Sequence, residues 1–271
     1  MKKNFFLILV VVSTLISCSD YQKLLKSDDV ELKYNKAVEY FNKGEFVRAA
    51  TLFDAIAVYY KGTDRSEIVL NYIAKSYMGQ KDYYTASEYF KTYVKTFPKG
   101  SLAAEAKYMI GYCYYLESPD VRLDQTQTKN AISALQEFLD IYPENQRVQD
   151  ANKLLEELTN KLAYKEYLNA KLYFNLGNYL ATNLSNNYQS AVITAQNALK
   201  KYPSTSYRED LLILILDSKY QEAVQSSEEK KNERYQATID EYYNYINEFP
   251  NGKYKIEADK ILNDAKRIVK N

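Results

Sequence analysis

The chain has 271 residues, 46% of them hydrophobic, and its 36 Lys and Arg against 35 Asp and Glu leave a net charge of +1. It can bury a core, and its balanced charge offers no global field for nucleic acid, so a nucleic-acid role is disfavoured. With no His, no Trp and only Cys18 and Cys113, in unlike contexts, no metal cluster, cofactor site or disulfide framework can be assembled; the lack of a nucleophile elbow, P-loop or dinucleotide fingerprint argues against an enzyme.

The chain opens on MKKNFFLILVVVSTLISCSD, where Lys2 and Lys3 precede an apolar run from Phe5 to Val12. The run is short for a membrane span and has the order of a secretory signal peptide, predicted over residues 1–17. Leu15-Ile16-Ser17-Cys18 resembles the bacterial lipobox. That resemblance implies that Cys18 is the lipid attachment site, heads the mature chain and holds it on a membrane through several acyl chains. Ser19, in place of the Asp of an inner-membrane retention signal, permits outer-membrane sorting. Residues 18–29 show no sustained period and read as a lipidated tether.

A repeating unit then begins, clearest over residues 67–100. Leu70, Ile73, Ala74 and Tyr77 mark one helical face, Ala86, Phe90, Tyr93 and Phe97 a second, and Pro98 stops the second helix. The turn Gly79-Gln80-Lys81-Asp82 between them holds a glycine expected to cap the first helix. The unit resembles a tetratricopeptide repeat, with Leu70 where tryptophan is usual. The first pair repeats the rhythm with Ala37 and Tyr40, a turn at Gly44, then Ala49, Phe53, Ile56 and Tyr60, without the proline. The third uses Ile110, Gly111 and Tyr114, then Ala131, Leu135, Phe138 and Tyr142, and carries an insertion, 117–125, expected to be an ordered loop.

From Pro143 to Gly177 there is neither Gly nor Pro, and helical spacing persists, which predicts one helix of about 30 residues joining the two halves. Ala191, Ala195, Ala198 and Tyr202 give a fourth second helix, and Thr238, Tyr242, Tyr245 and Phe249 a fifth. Tyr254, Ala258, Ile261, Ala265 and Ile268 share a face of a final, polar-backed helix. The expected fold is an all-α solenoid of about five tetratricopeptide-like pairs with a C-terminal capping helix. Repeats 1–3 occupy residues 30–143; the long linking helix, repeats 4–5 and the cap occupy 144–271.

Tyrosine is the odd feature, with 29 copies. In tetratricopeptide arrays, first-helix positions beside the framework line the concave surface. Here those positions are Tyr34, Val38 and Phe41 in the first repeat, Asn71, Lys75 and Met78 in the second, and Tyr108, Tyr112 and Tyr115 in the third. If tyrosine only filled the core it would favour framework positions; a concave stripe with apolar faces and polar tips suits an extended aromatic-rich peptide. Compositional drift toward Tyr, Lys and Asn is the competing reading.

A lipobox, a short tether and five such pairs together resemble the family of BamD, the lipoprotein of the outer-membrane β-barrel assembly machinery. The segment from Gly111 to Pro119 and Leu123-Asp124-Gln125 carry the resemblance in the third repeat. It implies a lipid-anchored protein on the periplasmic face of the outer membrane. Its implied partners are the barrel protein BamA, other assembly lipoproteins and unfolded outer-membrane protein precursors. The alternative is a lipid-anchored periplasmic scaffold for cell-wall enzymes.

Overall fold

A computed structural model describes residues 20–177, 179 and 186–269, and among them every regular element is helical. The signal peptide and Cys18 lie outside the described residues. The chain divides into two compact units, residues 1–118 with 126–152, and 119–125 with 153–271.

The first unit contains three helix pairs: α2 (Val30–Asn42) with α3 (Phe46–Tyr60), α4 (Arg65–Gly79) with α5 (Tyr83–Thr96), and α6 (Ala103–Glu117) with α7 (Thr126–Ile141). Each helix packs on the next in sequence, the antiparallel arrangement that short connections enforce. Starts are set chemically: the Asp29 carboxylate accepts from the Leu32 N–H at 2.8 Å and Asp82 from the Thr85 N–H at 3.1 Å. The framework residues form the core, with Ala37, Ala49, Phe53, Ile73, Ala74, Ala86, Phe90, Ala131, Leu135 and Phe138 all buried. Gly111 is obligatory, because a Cβ there would stand 2.7 Å from Leu135 Cγ and 3.2 Å from its backbone nitrogen.

Two local expectations change. Residues 20–26, read as part of a tether, form a short helix, α1, whose Tyr21, Leu24 and Leu25 pack against the first repeat's core. Two turns are too few for a period to show. Gly79 does not supply the left-handed turn either: that conformation belongs to Lys81 (φ 62°), as it belongs to Gly44 (φ 76°) in the first repeat. Gly79 is the last residue of α4, and its reason is contact, since a Cβ there would lie 2.3 Å from the Phe46 ring.

The second unit takes most of α8 (Val148–Leu176), then α9 (Asn187–Lys201), α10 (Arg208–Val224), α11 (Glu228–Glu248) and α12 (Lys255–Val269). α8 has 29 residues, as the unbroken spacing predicts. The Phe174 ring meets Tyr188 edge-on at 5.7 Å, closing α8 onto α9. α10 is covered on nearly all sides, and Leu211 to Leu216 are all buried between α9, α11 and α12. The insertion is ordered: the Gln125 side chain, itself buried, donates to the carbonyls of Asp120 (2.9 Å) and Leu123 (3.1 Å), and the Lys165 ammonium on α8 donates to Leu123 at 2.6 Å.

Three of the second helices, α5, α9 and α11, end alike before a proline. Phe97 (φ −125°, ψ 60°), Tyr202 (φ −128°, ψ 67°) and Phe249 (φ −125°, ψ 68°) share one conformation. A following proline excludes the helical region from the residue before it, so Pro98, Pro203 and Pro250 stop each helix one residue early.

Candidate functional site

The nine residues assigned to a peptide groove lie on α2, α4 and α6. On α6 the spacing of +4 and +3 brings Tyr108, Tyr112 and Tyr115 into one ladder. Tyr108 and Tyr112 stack with centroids 6.0 Å apart and planes 12° from parallel, and Tyr112 and Tyr115 repeat this at 6.0 Å and 15°. Tyr108 is the buried end: it is 5% exposed and meets Phe138 edge-on at 5.6 Å. The Arg147 guanidinium lies 5.3 Å from its ring centroid, held by Glu105 and by Asp150 at 3.0 Å. Burial raises the Tyr108 hydroxyl pKa. Tyr112 and Tyr115 are half-buried and keep part of their surface accessible.

The α2 residues are more deeply engaged in packing. Tyr34 sets its edge against Phe53 (6.0 Å) and Tyr60 (5.9 Å) with Arg65 5.2 Å over its ring, and Phe41 stands edge-on to Tyr72 at 5.1 Å. Val38 is half-buried on the same core. On α4, Asn71 is buried, Lys75 is half-buried, and Met78 packs against the cluster around Ala74, Ala86 and Phe90. The ladder on α6 is therefore the part of the set with stacked rings side by side and accessible surface, an arrangement able to hold an extended chain by ring stacking and hydroxyl hydrogen bonds.

A second ladder escaped the sequence reading. In the second unit Tyr164 stacks on Tyr207 at 4.7 Å and on Tyr167 at 6.1 Å, and Lys171 lies 5.6 Å over Tyr167. Its sequence signal is only the pair at +3 on α8; Tyr207 arrives from the turn before α10.

Cys113 is fully buried among Ala74, Phe90 and Ile110, and burial, with Glu117 nearby, pushes its thiol pKa up to about 12. Below that pH the nucleophilic thiolate is scarce and inaccessible. Native protein at pH 8 is expected to leave Cys113 unlabelled by a maleimide over hours and to label it fully once unfolded; rapid native labelling would contradict its burial.

A family model described as YfiO, outer membrane lipoprotein, matches residues 26–184. The outer membrane protein assembly factor BamD of Caulobacter vibrioides is 25% identical over 238 residues, 87% of this chain and 71% of that protein. A protein of Aquifex aeolicus, provisionally named as an outer membrane protein assembly factor BamD, is 27% identical over 146 residues, 53% of this chain and 48% of that one. Among solved structures, the TPR2AB domain of yeast Sti1 in its pHSP90 complex aligns over 88% of this chain and 98% of its own at 14% identity, with a TM-score of 0.38.

Proposed function

The chain belongs to the YfiO family of outer membrane lipoproteins, and from that premise we propose that it is a lipid-anchored scaffold of outer-membrane β-barrel protein assembly. The carrying observation is the family match over residues 26–184, which spans all three repeats of the first unit and α8. The anchor is Cys18, at the end of the lipobox-like Leu15-Ile16-Ser17-Cys18. Among the described residues no helix is long and apolar enough to cross a membrane, so in this reading the acyl chains hold the protein there. Cys18→Ala is expected to move the protein from the membrane to the soluble fraction, and mass spectrometry finding Cys18 unmodified would sink the anchor.

The scaffold's partners are the barrel insertase BamA, other assembly lipoproteins and unfolded barrel precursors. Affinity capture from membranes of the producing cell tests this directly: a barrel assembly protein should copurify, and recovery of cell-wall hydrolases in its place would overturn the assignment. Precursor capture is assigned to the aromatic face of α6. Tyr112→Ala with Tyr115→Ala should weaken binding of a labelled C-terminal barrel-precursor peptide at least about fivefold, the loss expected when interface aromatics act as anchors. Circular dichroism controls for folding. Unchanged affinity in the folded double variant would reduce the ladder to packing.

A further inference from the structure

The second helices of the repeats turn charge toward solvent; α3 does not. The exposed residues of α3 are Val47, Thr51, Ala55, Val58 and Tyr59, with Val47 64%, Val58 69% and Tyr59 66% exposed. The exposed positions of α5 include Glu88 and Lys95, and those of α7 include Lys129, Glu137 and Asp140. The charged residues of α3 point elsewhere, Arg48 to Glu45 and the rings of Tyr21 and Tyr40, and Asp54 to the hydroxyls of Tyr77 and Tyr89. Val47, Thr51, Ala55 and Val58 follow one another at +4, +4 and +3, a single stripe about 16 Å long. Beside it runs a groove whose apolar lining is Ala57, Val58, Val69, Leu70 and Phe97, with the exposed Lys61 on its rim.

What covers this stripe is indicated by α1. The Tyr21 hydroxyl donates to the Arg48 carbonyl at 3.4 Å and its ring meets the Arg48 guanidinium at 5.3 Å, so α1 is seated beside the stripe, next to Val47. Its exposed positions are Asp20, Gln22, Lys23 and Lys26. Two lysines against one aspartate, which pairs with Lys23 at 3.6 Å, leave the exposed positions of this helix with a net charge of +1, which anionic lipid attracts. Cys18 precedes Tyr21 by three residues, which span at most about 11 Å. A chain acylated at Cys18 therefore has no slack with which to hold its first repeat away from the bilayer. We propose that the α3 stripe lies on the membrane surface, with Val47 and Val58 in the headgroup and upper acyl region, Tyr59 at the interface, and Lys26 and Lys61 on anionic headgroups. An uncharged apolar stripe bordered by a tyrosine and lysines has the composition of an interfacial membrane contact. The inference rests on the acylation of Cys18 proposed above, and it makes the anchor a rigid mount that fixes which face of the first repeat meets lipid.

The test uses the acylated full mature chain, isolated from membranes with its acyl groups verified by mass spectrometry and reconstituted into phosphatidylethanolamine–phosphatidylglycerol vesicles. A nitroxide is placed at Val58→Cys, at Tyr59→Cys as a second probe, and at Gln136→Cys, an exposed position of α7, as reference. Cys113 is buried and acylated Cys18 has no thiol, so the introduced cysteine takes the label. On vesicles the labels at 58 and 59 should become several-fold more accessible to oxygen than to an aqueous nickel complex, with position 136 unchanged. Labels at 58 and 59 that stay aqueous on an acylated, vesicle-bound chain would overturn the inference and leave the anchor standing; an unmodified Cys18 in the isolated protein would remove both. Protection at 58 in a soluble Cys18→Ser chain without lipid, rising with protein concentration, would make the stripe a protein interface and overturn the proposal equally.

Discussion

Replacing Leu158 by proline is expected to cost the second unit about 3 kcal/mol or more, the penalty for a proline in a helix interior. Leu158 is 1% exposed, and within α8 its N–H bonds the preceding turn. A kink there also displaces what α8 holds further along. Asn160 accepts from the Thr205 hydroxyl and the Ser206 N–H, both at 3.0 Å, and Lys165 donates to the Leu123 carbonyl. Hydrogen exchange should therefore rise in residues 121–123 and 205–207 as well as in α8, accompanied by a lower urea midpoint. Leu158→Ala separates the effects: it removes packing, at about 2 to 5 kcal/mol, without breaking the helix, so the two turns should stay protected. If Leu158→Pro left exchange at both turns slow and the midpoint unmoved, α8 would not be the support described.

The contrast between what could and could not be read from the sequence follows from sequence distance. Repeat length, helix ends and the Ala and Phe framework were legible, because helical spacing and a following proline act within a few residues. The aromatic before each proline even shows one backbone conformation in three repeats. Side-chain bonds between helices leave no such trace. Glu67 accepts from the Tyr93 hydroxyl and from the Leu102 N–H, and Glu209 accepts from Tyr245 at 2.8 Å and from the Tyr254 N–H at 3.4 Å. Both carboxylates tie a first helix to its own second helix and to the segment leading into the following helix, yet the Glu-to-Tyr separations of 26 and 36 residues differ because α10 and α11 are both longer than α4 and α5. Asp54, in the apolar helix α3, carries no signal of a partner in the sequence around it. Yet it joins three helices by accepting from Tyr77 at 3.0 Å and Tyr89 at 2.9 Å. The aromatic set was legible in register but not in depth. Tyr34, Phe41 and Tyr108 stand beside the framework positions, and each is nonetheless claimed by a neighbouring ring.

The stability of the second unit should fall as pH rises from about 4 to about 7, and Asp217 on α10 is the cause. Burial, reinforced by the Glu257 carboxylate on α12, raises the Asp217 pKa from 3.8 to about 7. Lys219, two residues on, does not relieve it, because its ammonium is bonded to the buried Glu241. Between those pH values the folded chain keeps a proton on Asp217 that the unfolded chain has lost. The stabilising difference is therefore full below about pH 4 and is lost on rising through about pH 7, amounting to about 2 to 4 kcal/mol. Asp217→Asn keeps the side-chain shape and removes the titration, so the variant should match the parent near pH 4 and exceed it at pH 8. Glu257→Gln should recover part of that gain, since its charge is the second cause rather than the first. Urea unfolding of the soluble Cys18→Ser chain between pH 4 and 8 measures both. Parallel pH profiles for the parent and Asp217→Asn would mean that Asp217 ionises freely in the folded chain, and that water or an unassigned cation reaches the space between α10 and α12.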